Sequence, residues 1–173
     1  MISASFIALI LISLAFVLLA VLVAIDSKTM LLPNRYVFPF GLLGPLFHIV
    51  LDFKLLSEFD MVFGGIGAVV FLMLVRAYGN WRYGQESLGL GDVKLLCGAG
   101  FWLGPTNTLF AISAGAAFTL IQGIFVAKKR ARETGEFTLK RLKIPAGPGF
   151  CFGIALMMVI NLLIPLLKWV LDA

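Results

Sequence analysis

The chain of 173 residues is 61% hydrophobic and only 13% charged, with a mean hydropathy of +1.03. A soluble domain of that size has too little interior to hide so much apolar side chain, so lipid must cover the outside. The formal net charge is +5, but the bases stand between apolar runs rather than on a polar module. That placement speaks against a nucleic-acid partner and for anionic membrane lipids.

Ile2 to Ile25 is an almost unbroken apolar run of 24 residues, enough at about 1.5 Å per residue to cross a hydrocarbon core of about 30 Å. It lacks a basic start and exceeds the apolar stretch of about 7–15 residues in a signal peptide, so it reads as a mature helix. Asp26-Ser27-Lys28 marks the interface, and Pro33-Asn34-Arg35 reads as a turn. Tyr36 to Leu51 spans 16 residues and carries Pro39, Gly41, Gly44 and Pro45, which predicts a kinked or broken second segment. An acidic connection, Asp52 to Asp60, leads to a third segment, Met61 to Val75, whose Gly64, Gly65, Gly67 and Ala68 suit close helix contact.

From Arg76 to Asp92 the sequence turns polar and aromatic, as in an interfacial loop or short surface helix. Asp92 opens a fourth segment that meets the Gly104-Pro105 turn after a dozen residues, short for a full crossing. Leu109 to Ala127 is the fifth, with Gln122 expected to hydrogen-bond to another helix. Lys128 to Lys143 holds seven basic and two acidic residues, and Gly147 to Leu171 is the last span.

These elements predict an all-α fold: one membrane-embedded domain over residues 1–173, with six transmembrane segments of which the second and fourth are short or broken. Six crossings place twelve bases on one side and only Lys54 and Lys168 on the other. By the positive-inside rule the crowded side is cytoplasmic, and both termini then lie outside. Asp26 and Asp92, 66 residues apart, fall at the same membrane face.

An ionisable group beside bilayer-length apolar sequence is expensive unless it has a task, so these two acids are the first candidates for chemistry. Gly89 and Gly91 flank Asp92 and let the backbone approach closely. An aspartate in the first turn of a helix also meets unpaired amides and a favourable dipole. Two carboxyls at one depth can share a proton and activate water. The plain alternative is that each acid merely caps a helix. No Ser/His or Cys/His pair competes: His48, the only histidine, stands away from both cysteines and reads as structural. Cys97 and Cys151 form no CxxC motif, and neither a metal nor a cofactor is expected.

Three islands resemble the prepilin peptidases, membrane aspartyl proteases that trim type IV pilins and secretion pseudopilins. They are Asp26 followed by Leu32-Pro33-Asn34; Glu86 to Leu96 with Gly89-Leu90-Gly91-Asp92-Val93-Lys94 as the GxGD element; and Ile144-Pro145-Ala146-Gly147-Pro148-Gly149 before the last helix. The resemblance implies Asp26 and Asp92 as a catalytic pair, with Gly89, Gly91, Lys94, Pro33, Asn34, Pro145, Gly147 and Pro148 as motif and positioning residues. It implies a loop partner for Glu86, and for Lys94 a contact with loop or lipid. The substrate implied is a prepilin or pseudopilin precursor with a basic leader before a hydrophobic helix, cut at the cytoplasmic edge of the bacterial inner membrane. The larger members carry an N-terminal tetracysteine portion and methylate the new amino terminus. With no such cluster ahead of the first helix, the expectation is the compact form without that second activity. The competing classes are a non-enzymatic membrane scaffold of a pilus or secretion system and, less favoured, a proton-coupled transporter.

Overall fold

A computed structural model describes residues 2–84, 86, 88–134 and 145–171. It is all-helical: α1 (Ile2–Thr29), α2 (Asn34–Val50), α3 (Glu58–Tyr83) and α4 (Leu90–Thr134), then a rod made of α5 (Gly147–Met158), a π-helical turn (Val159–Leu163) and α6 (Ile164–Leu171).

Nearly every face of α1 is apolar, so hydrophobicity alone does not say which side meets protein. Ser5, Ala8, Ile12, Ala15, Leu19, Leu22 and Asp26 are buried. They recur in alternating steps of three and four, the seam by which one helix packs on others. Asp26 is therefore in register with the core and only 4% exposed. Beyond it α1 closes through a backbone bond from Met30 N to Asp26 O and a left-handed Met30.

α4 is the hub, touching α2, α3 and α5, and missing side chains make that proximity possible. A Cβ on Gly41 would lie 3.3 Å from the Gly98 Cα, and one on Gly64 would strike the Gly100 carbonyl. Farther along, a Cβ on Gly115 would come within 2.9 Å of the Phe150 Cα. Small residues let membrane helices gain van der Waals contact over a long interface.

The C-terminal end of α2 and the end of the first arm of α4, before Gly104, are joined by aromatic packing. Phe47 and Trp102 lie 5.2 Å apart by ring centroid, and Trp102 Nε1 donates to the Phe40 carbonyl at 2.8 Å. His48 Nε2 bonds the Trp102 carbonyl at 3.0 Å, which supports the structural role expected for it. Gln122 differs from expectation: its Oε1 is buried without a hydrogen-bond partner among the described residues.

The six predicted transmembrane segments are corrected. Among the described residues, four helices are long and apolar enough to cross a membrane: Ala4–Thr29, Glu58–Tyr83, Leu90–Arg132 and Gly147–Leu171. α2 has 17 residues and two internal prolines, a length of about 25 Å that falls short of the hydrocarbon core. Gly104-Pro105 breaks α4 into two helical arms, as the turn expected there implies: Gly104 is non-helical, at φ 71° and ψ 179°. The Thr108 hydroxyl donates to the Gly104 carbonyl at 2.6 Å and Asn107 Nδ2 to the Leu103 carbonyl at 3.2 Å, satisfying acceptors that the kink exposes. The expected placement of both termini outside does not depend on that number, because four crossings, like six, return the chain to the side from which it started.

α3 also runs two turns past Arg76, to a left-handed cap at Gly84, absorbing much of the stretch expected as an interfacial loop or short surface helix. Its start is the Ser57 cap, whose hydroxyl accepts from Asp60 N at 3.1 Å. In the last rod, Ile154, Met158, Leu162 and Leu166 are buried at steps of four. In an α-helix such steps drift by about 40° each. The π turn takes up that drift, with the Ile164 amide reaching back to Val159. The basic stretch 128–143 is helical to Thr134, and its residues 135–143 lie outside the described residues.

Candidate functional site

The site is assembled from four places in the sequence. α1 brings Asp26 through its buried seam, and its Oδ2 accepts a hydrogen bond from the Gly147 amide at 3.0 Å. Gly147 opens α5, with Pro148 at the next position. Its N–H is thus one of the donors a helix start leaves unpaired, and a carboxylate satisfies it. A side chain there is excluded: a Cβ on Gly147 would stand 2.5 Å from Asp26 Oδ2.

α4 brings Asp92 in its first turn. The Val93 amide bonds back to the Gly89 carbonyl, so Gly89 caps the helix and Asp92 takes the third helical position. There its carboxyl turns back to the Gly89 amide, the reciprocal half of a capping box. A Cβ on Gly89 would lie 2.9 Å from Asp92 Oδ2, crowding that carboxyl. Gly91 serves a different approach, because a Cβ there would come within 2.9 Å of Leu32 Cβ. The carboxyls of Asp26 and Asp92 act on each other electrostatically, and Cys151 lies within the field of both.

The intervening motif residues frame this pair. Pro33 precedes α2 in extended geometry, φ −68° and ψ 132°, and Lys94 Nζ donates to Asn34 Oδ1 at 3.2 Å. The segment after α1 is thereby tied to the first turns of α4 at two points, Leu32 on Gly91 and Asn34 on Lys94. Glu86 pairs with Arg76 at 2.7 Å, the loop partnership expected for it. Arg76 also donates to the Leu88 carbonyl, holding the chain just before Asp92. Pro145 is half-buried ahead of α5, while Ile144 of the same motif lies outside the described residues.

Sequence reasoning missed Cys151, which it weighed only for a CxxC or Cys/His site. The available signal was spacing: Cys151 follows Gly147 by four residues and so shares the face of α5 that carries the donor to Asp26. Both cysteines are free thiols. No group of three or more His, Cys, Asp or Glu suited to a metal ion occurs among the described residues. Asp26, in the last turn of α1, accepts from the amide that opens α5, and Asp92 stands in the first turn of α4.

A model of the type IV leader peptidase family matches residues 5–124. The prepilin leader peptidase/N-methyltransferase of Pectobacterium carotovorum subsp. carotovorum is 38% identical over 107 residues, covering 60% of this chain and 38% of that protein. The protein of the same name from Klebsiella pneumoniae is 38% identical over 104 residues, with 56% and 43% covered. That from Escherichia coli (strain K12) is 33% identical over 102 residues, with 56% and 44% covered. The chain thus spans about two fifths of the length of these relatives. No solved structure matches.

Proposed function

The chain belongs to the type IV leader peptidase family, and from that premise we propose that it is an aspartic endopeptidase that removes the basic leader of prepilin or pseudopilin precursors. The observation that supports the reading is the bond from the Gly147 amide to Asp26 Oδ2, which ties the end of α1 to the start of α5, with Asp92 in the first turn of α4 within reach of the Asp26 charge.

In this reading one carboxyl of the pair is ionised and the other holds the shared proton. The ionised carboxylate takes a proton from water as the water oxygen bonds to the scissile carbonyl carbon. The protonated partner donates a hydrogen bond to the carbonyl oxygen, where negative charge develops. The tetrahedral adduct then collapses. Its C–N bond breaks, the amine leaves with the proton taken from water, and the new carboxyl terminus departs with the leader.

Lys28, Arg35 and Lys94 are exposed at the same end of the helices as the pair, and Arg82 and the basic stretch from Lys128 add to the positive charge of the chain. By the positive-inside rule that end faces the bacterial cytoplasm. A precursor whose hydrophobic helix lies in the bilayer then presents the bond after its leader at the depth of the pair, with anionic lipids gathering both basic surfaces.

The test is incubation of purified protein with candidate precursors and mass spectrometry of the new amino terminus. Cleavage at the leader junction, lost in Asp26→Asn and in Asp92→Asn, is the expected result. Full cleavage by either variant refutes the paired-acid assignment. A precursor bound but never cut by the unaltered protein, under permissive lipid and pH conditions, favours the scaffold alternative.

A further inference from the structure

A cleft of about 350 Å³ lies between α2, α3 and the first arm of α4. Its α4 wall is Leu90, Val93, Lys94, Cys97 and Phe101, one helical face read at steps of three and four. Phe38 of α2 and Met73 of α3 stand opposite. Both of these are largely exposed, so the cleft opens sideways toward lipid. Its depth comes from Gly41 and Gly98, which meet without side chains between them.

We propose that this cleft seats one face of the substrate's hydrophobic helix, just beyond the bond to be cut. The inference rests on the peptidase reading and adds where the substrate lies. Three features select that occupant. The cleft begins two residues before Asp92 and follows α4 inward from Leu90 to Phe101, about 16 Å at 1.5 Å per residue, the direction a membrane helix must take when its first peptide bond reaches the pair. Its volume is too small to enclose a helix about 10 Å across but suits a row of side chains spaced as i, i+3, i+4 and i+7, the usual manner of helix-in-groove recognition.

The third feature is polarity. Lys94 is the one charged residue lining the cleft, and its ammonium is held by Asn34 at the edge nearest Asp92, which leaves the depth apolar. Asp92 sits on the neighbouring face of α4. A chain leaving the cleft reaches it by crossing exposed Gly89, where no side chain stands before the carboxyl.

Cys97 supplies a native thiol inside the cleft for the test. The probe is a synthetic peptide with a lysine-rich leader, a glycine at the junction and about twenty apolar residues, the length of a membrane span. Single cysteines are placed at successive apolar positions. Oxidative crosslinking to the full-length Asp92→Asn protein in bilayers should occur through Cys97 at positions three or four apart, and vanish in Cys97→Ser. Separately, Cys97→Phe should fill the cleft and raise KM about tenfold with kcat unchanged, the mark of lost uniform binding.

An unchanged KM together with no peptide crosslink means that the cleft holds only acyl chains, and overturns the proposal. Crosslinking of two protein copies through Cys97, undiminished by excess peptide, assigns the cleft to self-association and overturns it too. A peptide cut by the unaltered protein but never crosslinked overturns the cleft and keeps the peptidase reading. A peptide that crosslinks in register but is never cut does the reverse.

Discussion

The two ends of the α2–α4 pair are held together by opposite means. At the far end large rings fill the interface: Phe47 and Trp102 pack together, and Trp102 and His48 each bond a backbone carbonyl. At the Asp92 end the interface is made by what is missing. Gly91 admits Leu32, Gly89 leaves Asp92 uncrowded, and across the molecule Gly147 admits Asp26. The filled end stabilises the fold by burial. The other end gives up that burial and holds Asp26 and Asp92, the two acids of the proposed site, as expected where a site is strained or polar for a reason.

Substitutions at the two ends should therefore separate stability from activity. The largest effect falls on the acids: Asp26→Asn or Asp92→Asn should lower cleavage about a thousandfold or more, in line with loss of general acid–base catalysis. Thermal unfolding in detergent should change little, because the amide side chain still accepts from the Gly147 or Gly89 N–H. Trp102→Ala reverses the pattern. It should cost about 3–5 kcal/mol of stability, read from unfolding curves, while the protein that remains folded cuts normally.

Next comes Gly147→Ala, whose new methyl group displaces the Asp26 carboxyl. A shift of that order should reduce kcat about a hundredfold, with a smaller loss of stability than Trp102→Ala. The smallest effect belongs to Glu86→Gln. Glu86 is 78% exposed in its pair with Arg76, so unfolding should shift by less than about 1 kcal/mol. A large loss of stability in Asp26→Asn, or a large loss of activity per folded molecule in Trp102→Ala, would erase the contrast between the ends.

Hydrophobicity exposed the helical runs and the two acids, but not how the runs join or which way they face. In α1 the lipid-facing and protein-facing sides are equally apolar, so the burial of Asp26 is legible only through its step of four from Leu22. Arg76 looked like a helix end because charges usually mark one. Here the guanidinium turns back to Leu88 and Glu86, and α3 continues. Gly104-Pro105 was legible as the break in α4, but the hydroxyl and amide that satisfy the carbonyls there, from Thr108 and Asn107, carry no distinctive pattern. The meeting of Gly147 with Asp26 spans 121 residues, and Gly147 lies beyond the residues matched by the family model. Only the motif resemblance had joined those two residues, without saying that an amide and a carboxyl touch.

The π turn at Val159–Leu163 makes the last rod one residue longer than a plain α-helix laying down the same stripe. Deleting a single residue there would restore ordinary winding and leave Leu166 on the buried stripe, because eleven α-helical residues return to within about 20° of the starting face. Gly147 sits upstream of that turn and would keep its grip on Asp26. The rod can therefore lose one residue while both its distal anchorage and the end that holds Asp26 stay in phase.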